Sequence, residues 1–70
     1  MLTPEFKPFG GYTARDLQKC AEREVTLRQR VYENRVLTGR MTANQARDEI
    51  RKMDAIAAHF AELARKDRLL

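Results

Sequence analysis

Seventy residues amount to one small domain, which excludes a multidomain enzyme carrying a separate cofactor domain. With 43% hydrophobic and 34% charged residues, the chain is too apolar for a disordered tail and too charged for a membrane span. Its basic side chains exceed its acidic ones, giving a net charge of +4 that keeps nucleic acid in view as a partner.

Residues 1–12 hold both prolines, Pro4 and Pro8, and the pair Gly10-Gly11, with Phe6, Phe9 and Tyr12 interleaved. This composition predicts an extended arm without regular structure, which either grips a partner or packs on its own domain. From Thr13 onward there is no proline and one glycine, Gly39, among many Ala, Arg, Glu, Leu and Gln, a composition that favours long helices. Thr13 is an N-cap with Asp16 at the capping-box position, and Tyr12 with Leu17 forms a hydrophobic staple pair. Thr38-Gly39 supplies a C-terminal stop. Thr42 caps a second start, with Gln45 three residues on and Met41 with Ala46 as a second staple pair. The expected fold is all-α: residues 13–70 form a two-helix antiparallel hairpin, with helices at about 14–38 and 43–68 and the arm extended at its N-terminus.

Advancing about 100° per residue, the apolar residues of the first helix fall in two bands. Cys20, Leu27 and Val31 make one; Ala14, Ala21, Val25, Tyr32 and Val36 make the other. The second helix carries a stripe of Ala46, Ile50, Met53, Ala57, Phe60, Ala61 and Ala64, widened by Ile56 and Leu63. One neighbouring helix covers a stripe of about 100°, so both helices have surplus apolar face. The economical arrangement is a homodimer in a four-helix bundle, its interface drawn from Leu17, Val25, Leu27, Val31, Ile56, Phe60 and Leu63. The competing arrangement is a monomer whose aromatic arm folds over the surplus. Glu24, Arg28 and Arg35 lie between the two bands, either snorkelling at the rim of the dimer seam or forming a buried or half-buried network that sets its register or receives an acidic group from a partner.

Chemistry beyond binding has little support. Cys20 reads as a small core residue and His59 as a solvated one, and together they fall short of the four ligands of a structural zinc site. The carboxylates sit among bases at helical spacing, as in Asp48/Lys52 and Glu62/Lys66, and read as surface pairs. No nucleophile, base and oxyanion donor come together, so no catalytic residue, metal or cofactor is expected. Nucleic acid could meet the basic stripes through Arg23, Arg30, Arg47 and Arg51, although ten acidic residues dilute them and long helices suit groove reading poorly. Protein recognition leads instead, through Tyr32, Arg35, Leu37, Arg40 and Met41 near the hairpin loop, a mixture of aromatic, Met and Arg enriched at interfaces. The absence of a signal-peptide pattern, a lipidation box or a membrane span predicts a cytoplasmic setting.

The run Cys20-Ala21-Glu22-Arg23-Glu24-Val25, followed by Arg28, Arg30-Val31-Tyr32, Val36, Gly39-Arg40-Met41-Thr42, Ala46, Glu49-Ile50, Met53 and Ala55-Ile56, resembles small proteins encoded by phages and prophages of proteobacteria. The likeness covers residues 17–60. Where many of those proteins carry Pro-Arg-Trp after the tyrosine, this chain has Glu33, Asn34 and Arg35. The resemblance implies an accessory protein made in the bacterial host cytoplasm. Proteins of that size class often bind and inhibit a host protein, as anti-CRISPR and anti-quorum-sensing factors do.

Overall fold

The computed structural model describes residues 8–68. Two helices, α1 (Ala14–Leu37) and α2 (Ala43–Arg68), pack against each other as an antiparallel hairpin. The expected limits hold except that α1 ends one residue early. Residues 1–7 of the arm, and Leu69 and Leu70 after α2, lie outside the described residues.

Reciprocal hydrogen bonds start both helices. At α1 the Thr13 N–H donates to the Asp16 carboxylate at 3.1 Å and the Asp16 N–H donates to Thr13 Oγ1 at 3.0 Å. At α2 the Thr42 N–H donates to Gln45 Oε1 and the Gln45 N–H to Thr42 Oγ1, both at 3.0 Å. Each box satisfies backbone donors that the helix leaves without partners. The hydrogen bonds of Asp16 with the Thr13 backbone, and then with its side chain, hold its pKa below the ordinary carboxylate value. A depressed folded-state pKa stabilises above the unfolded carboxylate value, and that contribution is lost as pH falls through the folded one.

The stop of α1 is a Schellman turn. The Arg40 N–H donates to the Arg35 carbonyl at 2.8 Å and the Gly39 N–H to the Val36 carbonyl at 3.1 Å, with Gly39 at φ 74°. A Cβ on Gly39 would meet nothing within 4 Å, so Gly39→Ala carries only the left-handed backbone penalty of about 1–2 kcal/mol. Its melting temperature, followed by circular dichroism, is expected to fall by about 5 °C or more. Gly39→Asn should lose less, because asparagine tolerates that conformation.

The arm departs from expectation. Instead of continuing extended to Tyr12, the chain folds at Pro8–Gly11 into a short helical turn in which Phe9 and Gly10 take left-handed dihedrals. A bulky residue at φ 61° is strained, and the ring of Phe9 meets Phe60 of α2 edge-on at 5.3 Å. Packing of the arm on its own hairpin therefore occurs at this point.

The interior is narrow. Ala14 and Ala21 of α1 and Ala46, Ala57 and Ala64 of α2 are the buried hydrophobic residues, and none of the larger described side chains is fully buried. Ala14/Ala21 and Ala57/Ala64 are each a heptad apart, which keeps a small side chain at the contact every second turn and favours the close end of the usual 8–10 Å helix separation. Of the two bands on α1, the alanine-bearing one forms the seam and the Cys20/Leu27/Val31 band is left outside. Cys20 is accordingly exposed rather than a core residue. At about 100° per residue it lies roughly a third of a turn from the line of Ala14 and Ala21.

Candidate functional site

A hairpin one layer thick has two broad faces, and their residues follow from the alanine seam. Counting about 100° per residue from that seam, Leu17, Cys20, Leu27 and Val31 of α1 fall on the same side as Met53, Ile56, Phe60 and Leu63 of α2. The residues expected at a dimer interface thus share this first face, except Val25, which sits half-buried in the seam between the helices. Much of this face is open. Leu27 is 54% exposed and Val31 and Ile56 are each 45% exposed, whereas Phe60 is shielded in part by Phe9.

A polar ladder runs along α1 beside the same face. Arg28 Nε donates to Glu24 Oε1 at 3.2 Å, Arg28 Nη1 donates to the Tyr32 hydroxyl at 3.3 Å, and the Arg35 guanidinium lies 5.6 Å from the Tyr32 ring centre. With Leu27 and Val31 these side chains line a shallow depression. Arg28 is on the heptad line of Ala14 and Ala21, yet about a third of its side chain remains accessible beside Ala-lined α2. Its hydrogen bond to Glu24, with the Tyr32 oxygen adding to the effect, holds Arg28 in its charged form. The ladder is neither a buried network nor a fully solvated rim in the single hairpin.

The second face carries a different feature at its loop end. Tyr32, Val36, Leu37, Ala46 and Ile50 line an open groove of about 400 Å³, edged by Arg47 and Arg51 on α2 and by Gln29 and Glu33 on α1. Leu37 is 79% exposed. The expected partner-contact residues are therefore divided. Tyr32 and Leu37 line the groove, Arg35 belongs to the ladder on the other side of Tyr32, and Arg40 and Met41 occupy the loop, exposed and half-buried respectively. Val36 also stands among the apolar residues near the loop, whereas Ile50 carried no signal as a groove residue, since it reads as an ordinary helix-packing hydrophobe.

The basic residues are divided as well. Arg23 and Arg30 lie on the back of α1, opposite the alanine seam, whereas Arg47 and Arg51 border the groove. Among the described residues none of these four has an acidic partner within ion-pair distance, while Arg28, Lys52 and Arg65 do. Lys52 pairs with Asp48 at 3.0 Å as its spacing predicts and also meets Glu49 at 3.3 Å, which together raise its pKa. Glu62 binds Arg65, three residues on, rather than Lys66. Arginine reaches back with two parallel N–H donors where lysine offers a single point charge, and the pairing lowers the Glu62 pKa.

His59 is exposed and rests an edge of its ring near Phe60, 5.4 Å between centres. Among the described residues no group of three or more His, Cys, Asp or Glu side chains could hold a metal ion, and no helix is long and apolar enough to cross a membrane. Comparison with protein-family models, with curated proteins and with solved structures finds no match for this chain.

Proposed function

We propose that this chain is a non-enzymatic binding protein of the phage-accessory kind, which acts as a homodimer in the bacterial cytoplasm and captures a host protein to modulate or inhibit it. The observation that carries this reading is an interior made of alanines while Leu27, Val31, Leu37 and Ile56 remain exposed. A small domain with no large side chain buried among the described residues gains little from its own core, and open apolar side chains, three on the first face and Leu37 on the second, are what a binding protein presents. The first face supplies the dimer seam, with the Glu24–Arg28–Tyr32 ladder setting its register. The loop end then supplies the host contact.

The test is recovery of a partner on immobilised protein from bacterial lysate, identified by mass spectrometry. Native protein is expected to retain a partner in stoichiometric amount. Leu37→Asp and Arg40→Glu should lose it while keeping the helical circular dichroism spectrum and the sedimentation of the native protein. Retention by both variants would sink this placement of the contact.

A second reading, a nucleic-acid accessory protein, draws on the absence of ion pairs at Arg23, Arg30, Arg47 and Arg51 among the described residues. Its weakness is that these residues lie on two different sides of the hairpin, so one duplex cannot lie along all four. Binding that falls steeply with salt and is lost in Arg23→Glu and Arg47→Glu alike would favour it.

A further inference from the structure

The geometry points to the groove beside the loop as a docking site for an amphipathic helix with an acidic edge, supplied by the partner protein. This assignment rests on the binding role proposed above and gives its partner a chemistry. Three features of the groove select such an occupant.

The first is shape. The groove runs along α1 from Gln29 to Val36, seven residues or about 10 Å, which is the span between residues i and i+7 of a third helix laid in the furrow. The second is an apolar floor. Tyr32, Val36, Ala46 and Ile50 can receive the i, i+3 or i+4, and i+7 side chains of that helix, while Leu37 closes the loop end.

The third is charge. Arg47 and Arg51 stand one turn apart along the α2 edge without an acidic partner among the described residues. Two carboxylates one turn apart on the occupant would meet them, each able to take paired N–H donors from guanidinium. The opposite edge carries Gln29 and Glu33, which disfavours acid there and accepts a lysine or a neutral polar residue. The groove thus dictates which side of the occupant is acidic and hence which way it lies. A polyanion such as nucleic acid would be repelled by Glu33 and would leave the apolar floor empty. Because the groove is on the face opposite Leu27 and Ile56, a dimer formed through those residues would keep two such grooves open.

The experiment is a display selection on the full chain. The library consists of helical peptides with apolar residues fixed at i, i+3 or i+4, and i+7, and with both edges randomised among Glu, Lys, Gln and Ser. The native protein should enrich Glu one turn apart on a single edge. The Arg47→Glu/Arg51→Glu double variant should enrich Lys at the same positions, and the best native-selected peptide should bind it at least ten-fold more weakly. Leu37→Asp and Ile50→Asp should each abolish enrichment, with helical content checked by circular dichroism.

No enrichment, or the same edge enriched by native and charge-reversed protein, overturns the assignment. So does displacement of the selected peptide by duplex DNA, which makes the edge a phosphate contact. A change of sedimentation on charge reversal also overturns it, since the groove would then hold a second copy of this chain. Should charge reversal leave lysate capture intact while Leu37→Asp removes it, the acidic-helix assignment falls and the binding role stands.

Discussion

Val31→Asp is expected to leave the chain unfolded and monomeric at micromolar concentrations at which, under the proposed association, the native protein should be folded and dimeric. In the isolated hairpin Val31 is 45% exposed, and a substitution at so open a position ordinarily changes stability by no more than about 0.5 kcal/mol. In a dimer seam the same carboxylate faces Leu27, Ile56 and their symmetry mates. Stripping water from an unpaired charge there costs several kcal/mol, a large share of the stability of a domain this small. The two arrangements therefore differ by far more than measurement error. Thermal melts of the native protein at concentrations a hundred-fold apart should show a midpoint that rises with concentration, as folding coupled to association requires. A concentration-independent midpoint, with Val31→Asp melting like the native chain and a monomer mass by sedimentation, would show a self-sufficient hairpin and defeat the dimer.

The other large effect is expected inside the hairpin. Ala57→Leu places three further carbons at a residue only 4% exposed, on the buried alanine stripe of α2. The helices must separate, or the leucine must take a poor rotamer, at a cost of about 1–3 kcal/mol. For a domain of this size that corresponds to a melting temperature lower by about 5–20 °C. Ala58→Leu is the control. Ala58 is exposed, leucine is nearly as good a helix former as alanine, and little change is expected. If the two substitutions are equally harmless, the helices are not held by an alanine contact.

Both expectations depend on which apolar band of α1 faces α2, and this marks how far the sequence could be read. Periodicity separates Cys20, Leu27 and Val31 from Ala14, Ala21, Val25, Tyr32 and Val36, because helical angle depends only on residue spacing. It does not say which band turns inward. Leu27 and Val31 are the more hydrophobic choice, yet the structure leaves them out, buries the alanines of both helices instead, and draws Val25 from the expected dimer face into the seam. Small side chains let two backbones approach closely, and a five-residue connection limits the angles from which α2 can return to α1. Recognition residues divided for the same reason. Tyr32 and Leu37 border one groove while Arg35 lies over the other side of the Tyr32 ring, a separation created by where α2 runs.

The sequence by itself determined where the helices begin and end. Thr13 with Asp16, Thr42 with Gln45, and Gly39 act within a few residues of one another, through hydrogen bonds and a backbone dihedral that need no distant contact. Only the tertiary structure decided that the seam is alanine, that Phe9 turns back onto Phe60 and that Cys20 stays outside. It also placed Arg47 and Arg51 along an apolar groove. Those outcomes depend on the rotation and separation of one helix against another, and many side chains far apart in the chain set these together.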